Sequence, residues 1–235
     1  MLDEAIINHV FISRLVVTLL VLHVLCWSSV YYVALKYKLI AYPYLFLSTA
    51  FGWDPARAIA SFILPIISVL TGLLLYMRSM LIKPRIKTTG HRRLWKAFNL
   101  CSVLSCIGLL GVSAISVYTN IFVHLIFAFL VFIAGILIML ISTVLDSSLK
   151  LSVSPTILAL RYGLTAIAIV SGSLLGVFFV PYPFFGSVME MIAAGAMTAY
   201  VWTFAHKLDK LESAYLELGQ VPKFPDHAVH RRRIV

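Results

Sequence analysis

Glu190, His124 and Arg57, with Asp54 just before Arg57, are the groups in this sequence best placed to do chemistry. Glu190 and His124 lie about one turn inside apolar runs that begin at Ser187 and Ile121, and Arg57 opens a third run at Ala58. At similar depth, a carboxylate, an imidazole and a guanidinium could meet in one layer. His124 could then serve as a general base with Glu190 as its partner, or the layer could hold a lipid head group. The plainer expectation is an ion-paired cluster tying three helices together. No nucleophile accompanies the three, and one His with two carboxylates is a poor zinc set. No catalytic residue, metal or cofactor is therefore assigned.

Charge inside an apolar helix is costly, roughly 2.5–3.5 kcal/mol at a membrane helix centre and less near its ends. The other polar groups in the apolar runs are few. His23 reads as a hydrogen-bonded buried histidine. Asn99, at the start of the third run, either bonds a neighbouring helix or joins the candidate ligand-binding set. Arg161, one turn inside the fifth run, is expected to snorkel to lipid phosphates.

The elements that must position these groups are membrane spans. Of the 235 residues 61% are hydrophobic and 12% charged, against about 25% charged in soluble domains. Apolar runs cover residues 12–35, 58–77, 97–117, 121–145, 156–180 and 187–205, each long enough to cross a bilayer. The fold class is all-α: an integral membrane bundle of six helices over residues 1–205, followed by a basic tail, 206–235. The acidic start, Met-Leu-Asp-Glu, does not suit a signal peptide, so the first run is kept as a span. Pro65 should kink the second span. A loop rich in Tyr, Pro and Phe is expected over 36–57 and a tight turn over Pro181–Gly186. Small-residue steps at Gly108/Gly111, Gly172/Gly176, Ala194/Thr198 and Gly195/Ala199 are expected to let helices pack closely. Cys26, Cys101 and Cys106 all fall in apolar runs, which argues against a disulfide framework.

Orientation follows from the segment 77–96, MRSMLIKPRIKTTGHRRLWK, which carries Arg78, Lys83, Arg85, Lys87, Arg92, Arg93 and Lys96. Such a segment resists translocation. With it and both termini cytoplasmic, Arg14, Lys150, Arg161 and the tail's basic residues share its side, leaving only Lys36, Lys38 and Arg57 opposite. The net charge of +10 thus marks a face towards anionic lipid, with those seven residues and Arg161 as its candidate ligands, rather than nucleic acid. In the tail, Leu208, Leu211, Tyr215 and Leu218 share one helical face. With Arg231, Arg232 and Arg233 they are candidates for docking a larger protein partner.

Several stretches carry a resemblance. YPYLFLSTAFGWDPARAIASF, FNLCSVLSCIGLLGVS, IFVHLIFAFLVFIAG and MEMIAAGAMTAYVWTF resemble the DRAM/Frag/Sfk family of six-span proteins, which includes the damage-regulated autophagy modulators. The likeness covers roughly 41–209. Ala56 stands where the family has Glu, Met191 where it has Trp, and Leu45-Phe46 replaces Ile-Ser. The resemblance implies that Arg57, Asn99, His124 and Glu190 are recurring polar positions. It also implies roles in autophagy, in lipid organisation at the plasma membrane or endolysosomes, or in GPI-anchor remodelling.

The expected function is that of a non-enzymatic multi-pass membrane protein. It would be an accessory subunit or adaptor in lipid handling, lipid transport or autophagy, binding anionic lipid and a larger partner, with a membrane contact site as one setting. The endolysosomal, endoplasmic reticulum or plasma membrane would house it. The alternative is a lipid-modifying enzyme using His124 and Glu190.

Overall fold

Backbone amides that meet only lipid must bond to one another, and helices do this within a single segment. The computed structural model has that form. It describes residues 2–41, 45–149 and 153–204, with side chains from residue 13 onward. The helices are α1 (Leu2–Lys36), the short α2 (Leu47–Ala50), α3 (Ala56–Ile82), α4 (Thr89–Ala114), α5 (Ile121–Ser148), α6 (Pro155–Phe178) and α7 (Pro183–Trp202). All but α2 are long and apolar enough to cross a membrane, six in total. Among the described residues there is no strand.

Local sequence sets the ends. Asn120, Ser154 and Thr88 each accept a backbone N–H of the first turn, from Val123, Ile157 and His91 at 3.2, 3.3 and 3.2 Å, which satisfies donors that a helix start leaves open. Pro155 and Pro183 occupy first-turn positions, where a missing N–H is harmless. Because Pro183 starts α7, the expected turn over Pro181–Gly186 is half helix. The segment 77–96 is likewise mostly ordered: α3 runs to Ile82, a single 3-10 turn covers Lys83–Arg85, and α4 starts at Thr89. α1 ends with Leu39 N–H on Ala34 O (2.8 Å) and Lys38 N–H on Leu35 O (3.1 Å). That is a Schellman pattern, with Lys38 at φ 54° where glycine is usual.

The spans pack in chain order, α1 on α3, α3 on α4, and so on to α6 on α7, while α1 and α7 meet only sparsely. The closest approach is α4 on α5: a Cβ at Gly108 would lie 2.8 Å from Phe127 O and Val131 N, and one at Gly111 would enter the Phe127 ring. Ser61 and Ser68 add hydroxyl bonds from α3 to Ser113 O (3.1 Å) and Cys106 O (3.0 Å) of α4. α3 continues as helix through Pro65. Two expected small-residue contacts are not formed: a Cβ at Gly176 or Gly195 would meet nothing within 4 Å.

The connection between α1 and α3 folds over one end of the bundle. Ile40, Phe46, Leu47, Ala50 and Phe51 are buried there. Phe46 packs at a tilt against Phe179 with ring centroids 5.0 Å apart, and Trp53 against Tyr118 at 4.6 Å. The aromatic-rich stretch expected as a loop is thus a cap whose apolar residues join the core of the bundle. The other end carries the exposed basic side chains Lys83, Lys87, Arg92, Arg93 and Lys96, with Arg85 half-buried.

Candidate functional site

A cavity of about 170 Å³ lies inside the bundle beneath the cap. α1, α3, α4, α5 and α7 wall it, and Leu47, Ser48 and Phe51 of the cap close its top. The walls are mainly Leu, Val, Ile, Phe, Met and Ala. Space exists because small residues face inward: Ala128 on α5, Ala194 and Thr198 on α7. The Ala194/Thr198 step, expected to draw helices together, instead leaves room between them. From Glu190 to Tyr200, both on the wall, α7 rises roughly 15 Å.

The capped end of the cavity holds its sharpest polar groups. Glu190 is buried, and its Oε2 accepts Leu47 N–H at 2.6 Å. The Ser48 backbone and hydroxyl bond the same carboxylate. Tyr31 OH donates to Leu45 O at 2.6 Å beside it. Glu190 therefore fastens the start of α2, supplying the acceptor that the open N–H groups of a helix start require. His124 is 2% exposed on the cavity wall. Its Nδ1 lies 2.6 Å from Ile115 O, and since a carbonyl only accepts, Nδ1 carries the proton. Its Nε2 is buried with no hydrogen-bond partner, and an unpaired buried polar group costs about 1–3 kcal/mol. His23, bonded to Leu19 O at 2.8 Å, also reaches the cavity wall.

The expected three-member layer is thus a pair. Arg57 is half-buried, does not line the cavity, and its side chain makes no ion pair or hydrogen bond with any described residue. It stands at the rim, where its chain can reach solvent or head groups. Asp54 is exposed. Asn99 is half-buried, away from the cavity wall, and its side chain makes no hydrogen bond with a described residue. The ion-paired cluster expected at Arg57, His124 and Glu190 does not form, because the cap's own N–H groups occupy the carboxylate.

An ion-paired cluster does exist, at the opposite end. Asp146 of α5 receives Arg78 Nη2 of α3 at 2.8 Å and Arg161 Nη1 of α6 on the same oxygen, Oδ2. Arg78 Nε also donates to Ser142 Oγ (2.8 Å), and Arg161 donates to Thr203 Oγ1 (2.8 Å) and Thr203 O (3.0 Å) past the end of α7. Both guanidiniums lie over the Phe204 ring, at 4.4 and 5.1 Å. Tyr200 bonds Thr143 Oγ1 at 2.8 Å and Met139 O at 3.0 Å. Phe204 and Tyr200 are also cavity wall, so an aromatic floor separates the cavity from the arginines.

Arg78 and Arg161 were expected among the anionic-lipid ligands, and Arg161 to snorkel. Arg161 is fully buried and Arg78 nearly so. An internal carboxylate at matching depth offers each a closer partner than a phosphate outside. Depth matching was the available signal: Asp146 ends α5 near the level at which Arg78 ends α3 and Arg161 starts α6. Lys83, Lys87, Arg92, Arg93 and Lys96 are exposed and Arg85 is half-buried. Lys150, Leu208, Leu211, Tyr215, Leu218 and Arg231 to Arg233 lie outside the described residues. Among the described residues no three His, Cys, Asp or Glu side chains gather as a metal site would need.

Residues 8–211 match a family model described as the Frag1/DRAM/Sfk1/Cwh43P N-terminal domain, in line with the motif resemblance. No curated protein and no solved structure matches the chain.

Proposed function

The chain belongs to the Frag1/DRAM/Sfk1/Cwh43P family, and from that premise we propose a non-enzymatic membrane protein that holds lipid, an accessory in lipid handling or transport or in autophagy. One observation carries the reading: an apolar cavity inside a membrane bundle, capped at one end, in which no nucleophile of the described residues is hydrogen-bonded to His124 and the Ser48 hydroxyl on Glu190 helps to fasten the cap. Covalent catalysis needs a nucleophile within hydrogen-bond reach of its base. His124 instead spends Nδ1 on a backbone carbonyl, and Glu190 spends its carboxylate on the cap. At about 170 Å³ the cavity exceeds the ~150 Å³ of an engineered cavity that binds benzene, so it suits one apolar chain segment rather than an entire two-chain lipid.

The exposed basic residues between Lys83 and Lys96 would face the cytosol and gather anionic head groups, at about 1 kcal/mol per residue near the surface. The tail would dock a larger partner. Its membrane would be endolysosomal, endoplasmic reticulum or plasma membrane. Native mass spectrometry of protein purified in mild detergent tests the central reading. Retained lipid, lost in Ala194→Leu, is the expected result; no retained lipid in either protein would overturn it.

The alternative, a lipid-modifying enzyme, draws on the fact that His124 and Glu190 share one cavity wall. Lipid turnover that falls in His124→Ala would favour it, and unchanged turnover removes it.

A further inference from the structure

We propose that the cavity ligand is an uncharged single-chain amphiphile whose head donates a hydrogen bond, from a hydroxyl or amide N–H, to His124 Nε2. The inference deepens the lipid-holding reading and rests on it. Two buried side-chain nitrogens among the described residues lack a partner, His91 Nδ1 and His124 Nε2, and of the two only His124 belongs to the cavity wall. The bond from Nδ1 to Ile115 O fixes the ring and its proton, so Nε2 of the neutral ring is an acceptor. An acceptor held in place without a donor is completed by a ligand that brings one.

The remaining wall decides the charge of that ligand. No Lys or Arg lines the cavity, and the arginines nearest to it lie behind Phe204, already committed to Asp146. A phosphate head would enter with no cation to meet it, in a cavity that also holds the Glu190 carboxylate, and burying an unpaired charge is prohibitive. A cationic head would find the donors of Leu47 and Ser48 already on that carboxylate. A neutral donor needs no countercharge. The chain then lies along the apolar wall towards Tyr200, and the volume admits one chain segment. A lone water on Nε2 is the competing occupant, but a water needs 2–4 polar partners. It would use only the polar corner and leave the apolar space unfilled.

The test compares octanol, octyl methyl ether and octyl phosphate for binding to the purified full-length protein, read by thermal shift and by competition in native mass spectrometry. Octanol is expected to bind about tenfold more tightly than the ether, the value of one hydrogen bond to a fixed acceptor, and octyl phosphate least. His124→Phe keeps a ring and removes the acceptor; in it octanol and ether should bind alike. Equal binding of octanol and ether to the unmodified protein overturns the donor proposal while leaving the lipid-holding cavity intact. Preferred binding of octyl phosphate overturns the neutral head. If no probe binds and Ala194→Leu changes nothing, the lipid-holding reading itself fails. Should His124→Phe not fold, the three-probe comparison on the unmodified protein decides alone.

Discussion

Asp146 and Arg161 meet on a single carboxylate oxygen inside the bundle, and Arg78 donates to that same oxygen at 2.8 Å. One acid thereby joins α3, α5 and α6, with Thr203 bringing in the end of α7. Replacing Asp146 by Ala leaves two guanidiniums buried without it. The expected loss is about 3–5 kcal/mol, as for other buried pairs stripped of one partner. Thermal unfolding in detergent measures it. Arg161→Lys should not rescue the fold, because an ammonium cannot span Asp146 and both oxygens of Thr203 in a planar fork.

Glu190 holds the cap by accepting Leu47 N–H at 2.6 Å. Glu190→Gln retains a carbonyl acceptor and should keep the cap closed. Glu190→Leu orphans the N–H groups of Leu47 and Ser48, at a cost of about 1–3 kcal/mol. Protease cleavage within residues 37–55 should rise in the Leu variant and stay low in the Gln variant; equal cleavage in both would contradict the arrangement.

Helix spacing gives a paired test. Gly108→Leu places side chain against Phe127 O and Val131 N, which a Cβ alone would approach to 2.8 Å. Gly176→Leu enters open space. The first should cost about 1–3 kcal/mol or more through overpacking, and the second almost nothing, by thermal unfolding.

Lys38 adopts φ 54° at the end of α1. Lys38→Gly should stabilise the protein by about 0.5–1 kcal/mol, the left-handed penalty less the entropy of glycine. A melting temperature that falls would show that the Lys38 side chain contributes more than its backbone conformation costs.

The six spans were legible because lipid leaves so few solutions: runs of apolar residues, punctuated by Asn120, Ser154 and Pro155, could hardly fold otherwise. Helix ends were less legible, since α3 continues past Arg78 to Ile82 and Lys83 enters a 3-10 turn instead of a loop. His124 and Glu190 do line one cavity, and their depth along each helix can be counted from its start. Arg57 was wrongly grouped with them, because depth says nothing about which way a side chain faces. The cap was missed for a related reason. Its burial depends on Phe46 finding Phe179 and on Leu47 finding Glu190, partners more than a hundred residues away that no local pattern announces.

Arg78 and Asp146 stand 68 residues apart, and a chain is made from its N-terminus. Until synthesis reaches α5, the carboxylate that answers Arg78 does not yet exist. The place of Arg78 near the end of α3 lets the side chain wait at the water boundary until α5 delivers the carboxylate and α6 the second arginine. Later helices therefore complete the interior of an earlier one, and a chain halted before Asp146 would leave Arg78 as a visible mark of unfinished assembly.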